Sequence, residues 1–454
     1  MNKKIVERLW LVANKVRGAF EISELCKVLI YTLFLKYIEI KKKQDENDDI
    51  LSVYDDKFSL GYLSLTYGRM VDAFNLANYV AEVERGLRLE SNIIADEFRR
   101  LLEKADVDLV KVIFEAVDQI DFENNEQLYD VALMLLNKLA YATGKMGAEH
   151  FTNLSICKLE TRLLDCKEDM LVYDGFCGCG ISVNEVANNK GVVYLQDINV
   201  STLALASIMT LLKGNKIGAI RCGDSQLNPL SGQKYDRIVC EPPFMPKYSN
   251  DYFISMPQGN CAYQGSLDSE SLALRHVLAH LKEDGVATVL TPMGMLFKSG
   301  RVAEIRERLV CDKYIDAVIE LPAGLLAGTG IPTAIWVLKK NKTDNAIYLI
   351  NAKDFFEKVD RVQNVISDEN IARIVELYQS RESVEGVSHN TSIEEIAENG
   401  FNLCTTQYVT LSPEDTITIE DTTVYVQKYD QLVGQLAEID KQLGAVRSRF
   451  TKEA

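Results

Sequence analysis

Two short motifs in the middle of the chain each come directly after a short apolar run, where a buried strand would end. The first is the glycine-rich turn Asp174–Gly180, after Met170–Tyr173, and the second is Glu241-Pro242-Pro243-Phe244, after Ile238–Cys240. A glycine-rich turn between a strand and a helix is where a doubly wound sheet holds a nucleoside cofactor. The pair therefore predicts an α/β fold with a cofactor site after one strand and a second site after a later strand.

The pattern of apolar residues divides the chain into three predicted domains. Residues 1–140 contain no proline, and their apolar residues recur at helical spacing, which predicts a helical domain. In residues 141–352 short β-rich runs alternate with helical stretches, which predicts a mostly parallel, Rossmann-like sheet covered by helices. The last runs follow each other closely, so we expect an antiparallel pairing at one sheet edge. The predicted strands are Leu171–Tyr173, Val192–Leu195, Ala219–Cys222, Arg237–Cys240, Val286–Leu290, Ile315–Leu321, Ala334–Leu338 and Ala346–Ile350.

The third region, residues 353–454, contains the clearest periodic pattern of the chain. Its apolar residues are spaced alternately by four and three, which is the heptad seam of a helix over about residues 424–450. Gly434 and Gly444 each weaken such a helix by about 1 kcal/mol relative to alanine. A helix packed on its own domain is one interpretation, but a seam at a chain end favours an arm that binds a partner helix. The seam is Tyr425, Tyr429, Leu432, Leu436, Ile439, Leu443, Val446 and Phe450.

Charge and hydropathy exclude several classes of protein. The net charge of −16 argues against a chain that binds nucleic acid alone, because DNA affinity depends on neutralising phosphates with Lys and Arg. A chain of this charge that acts on DNA needs a local basic face or a basic partner. No apolar run reaches the roughly 18 residues of a membrane span. Leu29–Ile40 comes nearest, and since Lys36 and Glu39 interrupt it, we expect a buried helix there.

Cysteine usage and the amino terminus predict a cytoplasmic protein without a metal site. The first ten residues have no apolar signal core before charged residues return. The ten cysteines include no CxxC pair, and no histidine cluster accompanies them. This pattern is typical of free thiols in a reducing cytosol. Cys177 and Cys179 are interpreted as small residues that fill a tight turn.

Three aspartates in order follow the first three predicted strands, as a nucleoside cofactor requires. The glycines of Asp174–Gly180 allow the backbone close to a ligand, and the next helix offers free N–H groups. Asp197 ends the second strand, where a carboxylate accepts hydrogen bonds from both ribose hydroxyls. Asp224 follows the third strand, where a carboxylate can accept a bond from an adenine amine. For any single aspartate, a helix cap or a turn is the alternative interpretation.

The second motif suits a target amine whose lone pair is delocalised into a ring. An enzyme that methylates such an amine accepts hydrogen bonds from both amine hydrogens, so that the nitrogen pyramidalises toward the methyl donor. A side-chain oxygen of Glu241 and the carbonyl of Pro242 are the predicted acceptors, and Pro243 helps to lock the carbonyl's direction. Phe244 supplies a face on which a flipped base can stack. The alternative is an ordinary proline turn.

Further segments along nearly the whole chain match the sequence pattern of one protein family. By these segments and the two motifs, the chain resembles the modification (M) subunits of type I restriction–modification systems, which are N6-adenine DNA methyltransferases. The family's glycine turn usually reads Asp-Pro-Ala-Cys-Gly-Ser-Gly, and its catalytic motif usually begins with Asn, less often with Asp or Ser, where this chain has Glu241. The matching segments are Leu9-Trp10, Val16–Gly18, Leu33–Tyr37, Thr291–Phe297, Gly328–Thr333, Trp336–Lys340, Phe401–Leu403 and Tyr408-Val409.

The resemblance implies a cofactor, partners and further site residues. The cofactor would be S-adenosylmethionine, bound also by Phe176, Gly178 and Gly180. The segment Glu149-His150-Phe151-Thr152 would bind it as well, with Asn153 replacing the family's proline. Partners would be DNA and a specificity (S) subunit, with a second M subunit and a restriction (R) subunit as further candidates, and no membrane.

Two other hypotheses stay open at this point. Glu241 carries one methylene more than Asp or Asn, so the chain could be a catalytically impaired, cofactor-binding structural subunit of a DNA-binding or phage-defence complex. A methyltransferase that acts on an RNA or protein amine is the third interpretation, because the fold does not determine the substrate.

Overall fold

The computed structural model describes residues 1–15, 22–44, 55–68, 70–87, 89, 92–143, 153–230, 232–244, 247–248, 267–326, 329–359, 364–409, 424–436 and 439.

The amino-terminal part is helical, as predicted. Its longest helix, α2, is buried over most of its length and contains the apolar run that ends at Ile40. Lys36 and Glu39, which interrupt that run, pair with each other at 3.3 Å, so burial of the helix leaves neither charge alone. None of the described helices is long and apolar enough to cross a membrane. The helices are α1 Asn2–Lys15, α2 Ile22–Gln44, α3 Leu60–Thr66, α4 Met70–Gly86, α5 Ile93–Lys104, α6 Val107–Asp118 and α7 Asn125–Thr143.

A sheet of nine described strands follows, and every strand predicted from the sequence is part of it. Its order is β3-β2-β1-β4-β7-β9-β8-β10-β13, and the neighbours from β3 to β7 are all parallel. The strands are β1 Leu171–Asp174, β2 Val192–Asp197, β3 Lys216–Cys222, β4 Tyr235–Cys240, β5 Lys247–Tyr248, β6 Leu267–Asp268, β7 Leu281–Pro292, β8 Ile315–Glu320, β9 Thr333–Lys339, β10 Ala346–Asn351, β11 Glu357–Lys358, β12 Asn364–Val365 and β13 Ser388–Ser392. The pairs β5–β6 and β11–β12 form two small separate sheets.

The antiparallel pairing differs from the prediction in its position. Strand β9 is antiparallel to both of its neighbours, β7 and β8, and therefore lies inside the sheet. Its residues are buried almost throughout, since an apolar run must be covered on both faces. The antiparallel edge strand is instead β13, which pairs with β10. Its sequence, Ser-His-Asn-Thr-Ser, is polar, which an edge tolerates but which gives no apolar strand signal.

Helices cover both faces of the sheet and join it to the helical part. The apolar face of α10 packs into the same core as α1–α7, through residues that include Leu205 and Met209. Lys27 donates to the hydroxyl of Ser201 at 2.7 Å across this contact. The division into separate domains stays a prediction. The remaining helices are α8 Leu154–Leu164, α9 Ile181–Ala187, α10 Val200–Lys213, α11 Ser269–His280, α12 Arg301–Cys311, α13 Asp368–Ser380 and α14 Ile393–Glu398.

Residues 424–436 form a further helix, at the start of the predicted seam. Its seam side chains are exposed, with Tyr425 at 67%, Tyr429 at 68%, Leu432 at 53% and Leu436 at 64%. This part of the seam therefore does not pack on the chain's own core, in contrast to the alternative interpretation. The seam residues beyond Ile439 lie outside the described residues.

Candidate active site

Four acidic residues of the two motifs and the following strands meet at one edge of the sheet. Because β1, β2, β3 and β4 are parallel, their carboxyl ends lie together. Asp174 is the last residue of β1 and Asp197 is the last residue of β2. Asp224 lies two residues beyond β3, and Glu241 is the first residue after β4. The predicted positions at strand ends are thus those of the structure.

Asp197 joins the glycine turn to the second and third strands. Its Oδ2 accepts a hydrogen bond from the N–H of Gly178 at 2.8 Å. Its Oδ1 accepts one from the N–H of Asn199 at 2.8 Å. The N–H of Gly223 donates to its carbonyl oxygen at 2.8 Å. The carboxylate therefore sets the position of the turn after β1, in addition to any bond that it makes to a ligand.

The glycines of the first motif are required by the fold itself. Gly180 has φ +75°, and a Cβ there would lie 2.9 Å from the Cβ of Ala206 in α10. This glycine thus allows a helix, rather than a ligand, to approach. Gly178 also has a positive φ, of +49°. Phe176 is half-buried and its ring makes an edge contact with His276, the ring centroids being 6.3 Å apart.

Asp174 is buried beneath the turn that it begins. Its Oδ1 accepts a hydrogen bond from the N–H of Phe176 at 2.9 Å. Burial raises the pKa of the Asp174 carboxyl well above its usual range, and the charges of Glu241 and Asp197 raise that pKa further. The acidic groups at this edge are therefore close enough to disfavour one another's ionisation.

Asp224 is half-buried and also caps a turn, since its Oδ1 accepts from the N–H of Gln226 at 2.8 Å. Next to it, the hydroxyl of Ser225 and the side-chain oxygen of Gln226 are buried and have no hydrogen-bond partner among the described residues. All three aspartates thus serve turns, as the alternative interpretation proposed. Carboxylates and buried polar oxygens that still have acceptor capacity also suit the hydroxyl and amino groups of a nucleoside. The residues present therefore fit the predicted cofactor.

The second motif places its acidic side chain inward. Glu241 is half-buried, and its Oε1 accepts a hydrogen bond from the hydroxyl of Ser182, in α9, at 2.6 Å. Pro242 is buried, Pro243 is exposed and Phe244 is half-buried. Glu241 thus contacts the helix that follows the glycine turn, which joins the two motifs directly.

The model of the family described as N-6 DNA Methylase matches residues 123–416. The chain belongs to the N-6 DNA methylase family. Membership confirms the predicted resemblance, the predicted α/β methyltransferase fold, DNA N6-methylation as the enzyme class and S-adenosylmethionine as the cofactor of that class. The individual roles of the site residues stay predictions.

Several relatives are type I methylase subunits. The type I restriction enzyme MjaVIII methylase subunit of Methanocaldococcus jannaschii is 28% identical over 91% of this chain and 81% of its own length. The type I restriction enzyme MpnII methylase subunit of Mycoplasma pneumoniae is 26% identical over 83% of this chain and 72% of its own length. The crystal structure of the type I restriction-modification system methyltransferase subunit from Streptococcus thermophilus has a TM-score of 0.71, with 23% identity, over 91% of this chain and 100% of that one.

Sequence reasoning missed several polar residues that surround the motifs of this methylase. Glu160 is fully buried in α8, and its Oε1 accepts from the hydroxyl of Thr288 at 3.0 Å. The sequence did contain a signal for this residue, because Glu160 falls on the apolar side of its helix. Gln196, next to Asp197, is also fully buried, and its amide donates to the Asn228 carbonyl at 2.8 Å. It holds the loop that contains Asp224.

The segment Glu149-His150-Phe151-Thr152 lies outside the described residues, so its predicted cofactor contacts stay predictions. Asn153, which replaces the family's proline, is described. Its Oδ1 accepts from the N–H of Ser155 at 2.9 Å and so caps α8. Among the described residues, no group of His, Cys, Asp and Glu could hold a metal ion.

Proposed function

We propose that this chain is the modification subunit of a type I-like restriction–modification enzyme, and that it methylates N6 of a flipped adenine in DNA. One observation carries the proposal: Glu241-Pro242-Pro243-Phe244 begins where β4 ends, at the sheet edge that also holds Asp174, Asp197 and Asp224. A target amine held by Glu241-Pro242-Pro243-Phe244 would therefore lie beside a cofactor held by the three aspartates. The names of the two relatives reported above, both methylase subunits of type I enzymes, support the subunit assignment.

The cofactor side of the proposal uses carboxylates. S-adenosylmethionine supplies, when bound, a methyl group on a positively charged sulfur. Asp197 would accept bonds from the ribose hydroxyls, and Asp224 would accept one from the adenine amine. Asp174, Phe176, Gly178 and Gly180 would form the turn beside the methionine part. The segment 149–152 would complete the pocket. The acidic surroundings favour a cationic ligand.

The target side uses two acceptors at fixed positions. An oxygen of Glu241 and the carbonyl of Pro242 would accept bonds from the two hydrogens of the adenine amine, which turns the nitrogen's lone pair toward the methyl group. Pro243 restricts the backbone after that carbonyl. Phe244, half-buried beside them in the chain, would stack on the extruded base.

The proposed partners are inferred from the net charge of the chain and from the exposed helical seam that begins at Tyr425. A chain of net charge −16 gains DNA affinity from a partner that supplies basic groups. The exposed seam that begins at Tyr425 offers a helical surface for a specificity subunit, and a second modification subunit and a restriction subunit are further candidates. Action on DNA in such a complex implies a cytoplasmic location.

The test is a methyl-transfer assay with the complete complex. The complex, purified with its specificity partner, is incubated with labelled S-adenosylmethionine and genomic DNA that lacks its modification. We expect label in DNA and, after digestion to nucleosides, N6-methyladenine as the product. Label in RNA or protein would favour a methyltransferase that acts on an RNA or protein amine. Cofactor binding without transfer to any of them would favour the impaired structural subunit.

A further inference from the structure

The carboxylate of Glu241 is held by a chain of hydrogen bonds that begins at Cys157 in α8 and passes through Ser182 in α9. We propose that Ser182 is a positioning residue for the methyl-transfer reaction, and that Ser182 and Cys157 together anchor Glu241 so that its longer side chain can act as the amine acceptor. This inference rests on the proposed function, and it assigns that function's acceptor a support that neither motif contains.

The geometry fixes the direction of the chain of bonds. The Ser182 hydroxyl donates to Oε1 of Glu241 at 2.6 Å, so its oxygen remains free to accept. The Sγ of Cys157, in α8, lies 3.3 Å from that same oxygen. Burial raises the pKa of the Cys157 thiol well above its usual range, and the nearby Glu241 and Glu160 raise it further. The thiol therefore keeps its proton and can donate it to Ser182.

The surroundings leave little room for another arrangement. Ser182 is 4% exposed and Cys157 is fully buried, so water has little access to the hydroxyl and the thiol. Glu160 lies on the same face of α8, about one turn beyond Cys157, and is tied by its Oε1 to Thr288 in β7. Burial, together with the charges of Glu241 and Asp174, raises the pKa of Glu160 well above its usual range. The protonated form of Glu160 is therefore favoured, which limits the repulsion between its carboxyl group and that of Glu241.

The anchor explains how a glutamate can stand where related enzymes usually have asparagine. Glutamate has three side-chain torsions, so an unsupported carboxylate would sample positions about 1 Å or more from the target amine. A misplacement of that size can reduce a rate about a hundredfold. A short bond from the buried Ser182 hydroxyl holds one oxygen of the longer side chain against α9. The extra methylene is then taken up by the bond to α9 rather than by an extension toward the base.

The test compares Ser182 variants in two backgrounds, within the full complex. We expect Ser182→Ala to lower kcat for methyl transfer about 10- to 100-fold, while the Kd for S-adenosylmethionine and the KM for DNA change less than twofold. Ser182→Thr, which keeps the hydroxyl, should retain most of the activity. In a Glu241→Asn background the shorter side chain does not reach Ser182, so Ser182→Ala should add less than a twofold loss there.

A matched control separates positioning from packing. Ser207 is also a buried helical serine, but its hydroxyl donates to the carbonyl of Leu203 in its own helix. Ser207→Ala should leave kcat unchanged. If Ser182→Ala lowers kcat equally in the wild-type and Glu241→Asn backgrounds, Ser182 supports the fold and not the acceptor, and the inference is overturned.

A second readout does not depend on catalysis. The unfolding temperatures of wild type, Ser182→Ala, Glu241→Ala and the double variant form a cycle. If Ser182 anchors Glu241, the unfolding temperature of the double variant should fall by less than the sum of the two single decreases. Strictly additive decreases would overturn the anchor. If the wild-type complex transfers no methyl group, the proposed function fails, and the cycle still decides on the anchor independently.

Discussion

The backbone N–H of Gly178 donates a 2.8 Å hydrogen bond to Oδ2 of Asp197, which joins the turn after the first strand to the end of the second. The same carboxylate accepts bonds from Asn199 and, at 3.4 Å, from the hydroxyl of Thr202. A single side chain thus orders the turn at which the cofactor is proposed to bind and is itself proposed to hold the ribose.

Replacement of Asp197 should therefore weaken cofactor binding for both reasons. Asp197→Ala loses two charge-assisted bonds to the ribose, each contributing about 1.5–3 kcal/mol, and it also frees the N–H of Gly178. We expect the Kd for S-adenosylmethionine to rise at least tenfold, measured by isothermal titration calorimetry on the folded variant.

The control is Asp169→Ala. Asp169 is an exposed aspartate that pairs with Lys216, and it precedes β1 rather than ending a strand. Its replacement should leave the Kd unchanged. An unaltered Kd in folded Asp197→Ala would remove this carboxylate from the cofactor site.

The helix that begins at residue 424 should be dispensable for folding but required for assembly. Deletion of residues 424–454 removes side chains that are exposed in the described part, so little buried apolar area is lost. We expect an unchanged unfolding temperature and unchanged cofactor binding. In size-exclusion chromatography the truncated chain should no longer co-elute with the specificity partner. Aggregation or unfolding of the truncated protein would place the helix in the chain's own core.

Point variants within this helix make the test more specific. Leu432→Asp and Leu436→Asp place a charge on the seam, so each should weaken assembly strongly. Gln431→Asp places the same charge outside the seam and should have little effect. Equal effects of seam and non-seam variants would argue against a partner helix.

Stability in mildly acidic solution should depend on Glu84. This side chain is 1% exposed and accepts bonds from the N–H groups of Ile94 and Ala95 at the start of α5. Burial raises the pKa of Glu84 to about 7, although these bonds lower it in part. Between the ordinary glutamate pKa and about 7 the folded state thus binds more protons than the unfolded state. Stability from this group is greatest at low pH and falls as the pH rises through that window.

The measurement is the unfolding temperature at pH 5 and pH 7.5. The linkage amounts to at most about 3 kcal/mol, so wild type should lose roughly 2–5 °C more than Glu84→Gln between these two pH values. Glu82→Gln changes an exposed glutamate of the same helix and should follow wild type. The same decrease in Glu84→Gln as in wild type would show that Glu84 does not titrate in this range.

The sheet could be predicted in large part, because its inner strands are mostly buried and read as short apolar runs between helices. The same reasoning fails at β13, a polar edge strand whose pairing with β10 depends on backbone bonds and not on its side chains. The positions of β8 and β9 in the sheet could not be predicted either, because a sequence does not specify which of two buried strands lies next to β7.

The site could be predicted only as far as strand ends determine it. Asp174, Asp197 and Glu241 each follow or end an apolar run, so their common edge is a consequence of parallel strands. The bond between Ser182 and Glu241 could not be predicted, because it depends on how α9 is rotated against β4. Glu160 shows the same limitation, since only the packed structure shows which carboxylates its buried helix face meets.

The central claim is that Glu241 is a working acceptor for the target amine. The most direct measurement is single-turnover methyl transfer to adenine by the complete complex, with wild type compared with Glu241→Ala at saturating S-adenosylmethionine. We predict N6-methyladenine formation by wild type, and a loss of at least a hundredfold in Glu241→Ala with cofactor affinity unchanged, because the lost contact forms only with the amine. Absence of methyladenine with the wild-type complex, while it demonstrably binds S-adenosylmethionine and DNA, would contradict this account.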